Sequence, residues 1–292
     1  MFFSELLVNI SHDQSIKNLL QHIITPFSPY YLCKHYIGNE STLYNVPIPS
    51  GLNDLLKTNN MSIVSDYDII YVEVNYFSKF INDYLPKLTK KIILITGQWY
   101  KPQIINTKET DDVLANPHIL LWVSQNPIYI NNPKYMAIAY GIRHDNLTTF
   151  SKTLLRNKTT EKTIDIINLP IANHTNPCRS KLPVLTPISA ESFYETIAMT
   201  KFVISPIGDR DDCYRHYECI GLGAIPVSNV GITYRELFTD NMLYYDIDII
   251  ADIVKTNKIN ASYHIPNKDL ICLNYYRDAI QQRILLIQYK AS

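Results

Sequence analysis

Arg215 and Glu218 are the residues whose types and spacing best suit binding chemistry. A spacing of three puts both on one helix face. There a guanidinium fork can take the oxygens of a diphosphate, and a carboxylate can take the hydroxyl pair of a ribose. Upstream lies Ser205-Pro206-Ile207-Gly208-Asp209-Arg210-Asp211-Asp212, a loop leaving an apolar strand. A helix is expected to open at Cys213 with Asp212 as its N-cap. Its free N–H groups and positive dipole end favour an anion, and Arg210 adds a second fork. Downstream, Gly221 and Gly223 end the helix, and Ala224-Ile225-Pro226-Val227 starts a strand whose small residues let a ligand approach the backbone. The competing reading is a surface ion pair between Arg215 and Glu218, worth about 0.2–0.5 kcal/mol. His216 is turned roughly a hundred degrees from Arg215 and is expected to be a packed or surface residue.

Such groups need a sheet to hold them, because ligands of open α/β sheets sit beyond the carboxyl ends of the strands. Short apolar runs alternate with amphipathic stretches as that architecture requires. Strands are expected at residues 68–74, 91–96, 119–124 and 135–140, with helices at 76–88 and 109–115 and a tight turn at Gly97. The stretch 151–163, SKTLLRNKTTEKT, is polar and weakly periodic and is expected to be a linker. The alternation then restarts with strands at 164–169, 202–205 and 224–228 and a helix near 190–199. This gives two α/β domains, 1–155 and 156–292, with amphipathic spacing over 270–289 predicting a closing helix that can pack back across the domain interface.

Composition narrows the function classes. Lysine plus arginine equals aspartate plus glutamate at 27 each, so no global positive field draws nucleic acid or an anionic membrane. No uncharged apolar run reaches the roughly 18–20 residues of a membrane span. Glu5 and Asn9 interrupt the first apolar stretch, which has no basic region before it and reads as a strand or helix rather than a secretory signal. Five scattered cysteines form neither a disulfide framework nor a zinc site, so a soluble cytoplasmic protein is expected. Asp246-Ile247-Asp248 has metal-motif spacing but falls at a strand-to-helix junction, and no metal site is expected. Most of the 22 tyrosines read as core or surface filler.

The stretch 201–227, KFVISPIGDRDDCYRHYECIGLGAIPV, resembles the exostosin-like glycosyltransferase signature: an apolar strand, Pro-x-Gly, an acidic loop, Arg-x-x-Glu, a glycine and Ile-Pro-Val, in that order. Trp122-Val123-Ser124-Gln125-Asn126 and Tyr140-Gly141-Ile142 resemble segments of related viral and algal enzymes. Ile207 and Arg210 depart from the pattern, standing where arginine and glycine are common. The resemblance implies two Rossmann-like domains facing a cleft, the GT-B architecture. It implies an inverting, metal-independent enzyme without a cofactor, whose partners are a nucleotide-sugar and a glycan or glycoprotein acceptor. The donor is expected to be UDP-linked, carrying xylose, galactose or glucuronate. The donor site is expected to comprise Arg179, Ser205, Pro206, Gly208, Arg210, Arg215, Glu218 and Pro226. Arg179 enters because loop 173–179 corresponds to a diphosphate-contacting loop of related folds. From the first domain, Glu73 at a strand's carboxyl end is the first candidate for a general base and His144 the second. Trp99 and Tyr100 are the candidate acceptor platform. An inactive sugar-nucleotide-binding module, or another GT-B enzyme such as an epimerase or phosphorylase, remains the alternative.

Overall fold

The computed structural model describes residues 1–39, 41, 44–97, 103–158 and 160–291. The chain consists of two Rossmann-like α/β domains, each built on a parallel sheet. One unit comprises Ile24–Ala139 with Leu273–Ser292, the other Met1–Ile23 with Tyr140–Cys272. The expected single boundary near residue 155 therefore differs from this division, in which the chain passes between units three times.

The first unit holds six strands: β1 (His35–Ile37), β2 (Asn53–Asp54), β3 (Ile69–Glu73), β4 (Ile92–Gly97), β5 (Ile119–Ser124) and β6 (Tyr135–Ala137). Their order is β2-β1-β3-β4-β5-β6, and every pairing is parallel. All six positions of β4 are buried, as expected for a central parallel strand covered on both faces. The helix expected at 76–88 is irregular, passing from 3-10 to α to π geometry and ending in a 3-10 turn, Leu85–Lys87, that contains Pro86. The closing helix suggested by the spacing over 270–289 forms as Leu273–Ala291; it belongs to this unit and contacts β5.

The second unit holds β7 (Ile164–Asn168), β8 (Thr200–Ile204), β9 (Ile225–Ser228) and β10 (Leu243–Tyr244), in the order β10-β9-β8-β7, again all parallel. One core joins Ile166, Phe202, Ile204, Ile225 and Val227 from the strands to Ile250 and Ile253 of helix Ile247–Thr256. The opening residues form the helix Phe2–His12, and the Phe3 N–H donates to Asp269 at 2.7 Å.

The expected linker is corrected. Residues 151–156 continue the helix Leu147–Arg156, in which Leu147, Phe150, Ser151 and Leu154 are buried. This apolar spacing began upstream of the polar window. Ser151 and Thr153 tolerate burial because their hydroxyls donate to the carbonyls of Thr148 and Thr149, at 3.0 and 3.1 Å.

Candidate functional site

At the carboxyl ends of β7 and β8 lies a cavity of about 580 Å³. That size lies in the ordinary range for small-ligand sites. Residues 170–175 follow β7, the turn around Gly208 follows β8, and the helix Tyr214–Gly221 presents one face. Three arginines, Arg143, Arg179 and Arg215, line the space against two carboxylates, Asp209 and Glu218.

The helix starts one residue later than expected. Cys213 is its N-cap, and the expected cap, Asp212, is turned inward. Asp212 Oδ2 accepts from the Tyr217 hydroxyl at 2.6 Å and the Tyr140 N–H at 3.2 Å. An inward carboxylate with these donors ties the start of the 140–272 segment to the helix, so burial rather than capping occupies it.

Arg215 and Glu218 share the cavity, as the helical spacing requires, but they are not a surface ion pair. Arg215 Nη1 donates to the carbonyls of Leu169 (3.3 Å) and Ile204 (3.4 Å), and Nη2 donates to that of Pro170. Its guanidinium also lies 5.0 Å from the Phe193 ring centre. Strand-end carbonyls thus fix the cation without neutralising it. Glu218 is buried, and its Oε1 accepts from the Tyr194 hydroxyl at 2.9 Å. Burial raises its pKa, opposed by the Tyr194 hydrogen bond and the charges of Arg215 and Arg143.

Arg179 is largely spent on bracing two loops. Nε donates to Ile207 O (2.7 Å), Nη1 to Ala172 O (3.2 Å) and Thr175 Oγ1 (2.9 Å), and Nη2 to Pro206 O (2.9 Å). Asn176 adds a bond from Nδ2 to Gly208 O at 2.6 Å. A Cβ at Gly208 would stand 2.9 Å from Arg179 Nη2, so the close approach of the loops explains the glycine of Pro-x-Gly.

Other expected donor residues lie off the cavity. Arg210 is buried with its guanidinium 4.8 Å from the Tyr140 ring centre, a packing role rather than a second open fork. Pro226 is buried within β9, Ser205 is buried just past the end of β8, and Pro206 gives its carbonyl to Arg179. His216 is fully buried, consistent with the packed reading.

Of the candidate bases, His144 follows Arg143 in a 3-10 turn, His144–Asn146, and burial lowers its pKa, opposed by Asp145 and helped by Arg143. Glu73 belongs to the other unit, at the carboxyl end of β3, where the strand order reverses between β1 and β3. Such switch points are preferred ligand positions. Its carboxylate is buried, accepting from the Tyr30 hydroxyl and from the Asn39 N–H at 2.8 Å. A Cβ at Gly38 would lie 2.1 Å from its Cδ. Trp99 and Tyr100 lie outside the described residues.

Several lining residues escaped the sequence reading. Arg143 directly follows the Tyr140-Gly141-Ile142 segment, and its Nε and Nη2 each donate to Asp145 at 2.6 Å. Phe193, Tyr194 and Asn146 come from helix faces with no motif of their own, and Cys213 had read only as the helix start. Asp246 precedes helix Ile247–Thr256, and Asp248 pairs with Lys181 at 2.5 Å. Among the described residues no helix is long and apolar enough to cross a membrane.

No curated protein matches the chain. Residues 131–236, which are 106 of 292, match the family model of the RXYLT1 C-terminal domain, and every cavity-lining residue falls inside that segment. RXYLT1 is a xylosyltransferase, so the match supports a glycosyltransferase family without singling out the exostosin family.

Proposed function

We propose that this chain is an inverting, metal-independent glycosyltransferase that takes a UDP-sugar, with xylose as the first choice of sugar, and glycosylates a hydroxyl of a glycan or glycoprotein. The observation carrying the proposal is the cavity inside the matched segment, where a fixed guanidinium and a buried carboxylate share one helix face. Xylose is placed before galactose and glucuronate because the matched model belongs to a xylosyltransferase.

In this reading Arg215 and Arg143 hold the diphosphate, and Glu218, oriented by Tyr194, accepts hydrogen bonds from the ribose hydroxyls. Pro187, Ile188 and Phe193 supply an apolar wall for the base. Negative charge grows on the departing diphosphate as the bond from the anomeric carbon breaks. A cation already fixed by backbone carbonyls stabilises that charge without reorganising. The acceptor hydroxyl attacks from the opposite face and gives its proton to a general base. His144 suits this role because its lowered pKa keeps it neutral near pH 7. Glu73 is the alternative base.

Calorimetric titration with UDP and with uridine tests the donor site. Arg215→Ala should weaken UDP by about 1.5–3 kcal/mol and leave uridine nearly unchanged, because only UDP carries phosphates. Glu218→Ala should weaken both alike. Chelation of divalent ions should leave binding intact. Unchanged affinities for both ligands in folded variants would sink the proposal, and UDP binding without sugar transfer or donor hydrolysis would favour an inactive binding module.

A further inference from the structure

Among the described residues Cys213 alone of the five cysteines lines the cavity. It is half-buried, and it caps the N-terminus of an eight-residue helix. Its Sγ lies 3.4 Å from His216 Nε2 and 4.0 Å from Ser205 Oγ. The environment of His216 indicates which protons the ring carries. Nε2 lies 3.0 Å from the Ser205 carbonyl oxygen, which only accepts, so Nε2 bears a hydrogen. Nδ1 lies 3.4 Å from Asp212 Oδ1, on a carboxylate that already accepts from Tyr217 and Tyr140, so a hydrogen on Nδ1 serves a second acceptor. A doubly protonated ring serves the Ser205 carbonyl and the Asp212 carboxylate, while the Cys213 N–H, 3.4 Å from Nδ1, and Ser228 Oγ, 3.2 Å from Nε2, compete for the same nitrogens. His216 thus stands beside a sulfur that opens to the cavity, with acceptors at both ring nitrogens that favour the imidazolium.

Charges on the surrounding elements favour the same state. Burial lowers the His216 pKa, but Cys213 and Asp212 outweigh it and bring the value to about 10. Burial raises the Cys213 thiol, but His216 and Arg179 outweigh it and leave it below the usual value, with Asp212 opposing them. Arg215 and Cys219 also sense the Cys213 charge. By contrast, burial pushes the thiols of Cys33, Cys219 and Cys272 well up.

We infer that Cys213 is a covalent modification site whose thiolate, paired with His216, captures small disulfides entering the cavity, and whose adduct displaces the nucleotide. In this step Sγ attacks one sulfur of the incoming disulfide, the disulfide bond breaks, and the other half departs as a thiolate. Cys213 is oxidised and the small disulfide reduced, with no further reactant. The displacement clause alone rests on the proposed nucleotide site.

The test treats the full chain with oxidised glutathione between pH 6 and 9 and follows each cysteine by peptide mass spectrometry. Cys178, also half-buried, is the internal comparator. At pH 6 Cys213 should react at least about tenfold faster than Cys178. His216→Gln should remove most of that advantage and move the Cys213 pH profile upward. Equal rates at Cys213 and Cys178 across the range would overturn the site, and that comparison needs only the wild-type chain. Saturating UDP should slow Cys213 by about tenfold or more and spare Cys178, and the glutathione adduct should lose UDP binding. If UDP binds but neither protects Cys213 nor is excluded by the adduct, the displacement clause is wrong. If UDP does not bind at all, the nucleotide reading fails while selective capture at Cys213 still stands or falls on its own rates.

Discussion

Glu218 shows how a residue proposed to bind the donor can work against its own fold. It is 5% exposed, and burial raises its pKa although Tyr194 donates to it. A carboxylate raised in the folded state binds protons that the unfolded chain has released. Stability is therefore lost as pH rises from the unfolded value through the higher folded one. Glu218→Gln keeps an acceptor for the Tyr194 hydroxyl and removes the charge. The variant should melt above the wild type at pH 8, and the difference should shrink as pH falls toward 5. Its UDP affinity should fall at the same time. Thermal melts across pH would refute the argument if Glu218→Gln were less stable at pH 8. The sequence revealed Arg215 and Glu218 because helical spacing alone places them together. It could not reveal Arg143, whose place depends on how a turn before the helix Leu147–Arg156 meets the cavity.

At the scale of elements, hydrophobic periodicity located the strands well because parallel strands are continuous apolar runs. It failed where polar residues are satisfied locally, as with Ser151 and Thr153. It also failed on β1 and β2, which are only three and two residues long. A further tie that no pattern announces is Lys162, which lies before β7. Its Nζ donates to Leu222 O at 2.7 Å and Ile197 O at 3.3 Å, joining the carboxyl ends of helices Tyr214–Gly221 and Ala190–Ala198. Burial, together with the charge of Lys268, lowers its pKa to about 7. A neutral amine still has two hydrogens for the two carbonyls. At about pH 10, where the cost of shedding the lysine proton is largely gone, Lys162→Met should destabilise the fold by about 1–3 kcal/mol by stranding those acceptors. The wild type should also gain stability between about pH 7 and pH 10, where the unfolded chain binds a proton that the folded one has shed. Lys162→Met should lack that rise in denaturant titrations across pH, and a parallel profile would count against the assignment.

At the scale of the whole molecule, the chain leaves one unit at Ile23, returns at Tyr140 and leaves again after Cys272. Sequence reading placed one boundary because composition marks polar stretches, whereas these passages fall between buried residues such as Ile23 and Ile24, or Ala139 and Tyr140. The closing helix, which belongs to the six-stranded unit, buries Tyr276 and Ile280, both at most 2% exposed. Truncating Ile280 to alanine should cost about 2–5 kcal/mol through lost burial and the space left behind. If the units open separately, that loss should be local. Hydrogen exchange should speed up in β3, β4 and β5, which share the helix's unit, and stay near wild-type rates in β7, β8 and β9. UDP affinity should change little, because every cavity-lining residue belongs to the four-stranded unit. Equal acceleration in both sheets would instead mean that the two units unfold as one cooperative body, and the three passages of the chain would then be the covalent reason for it.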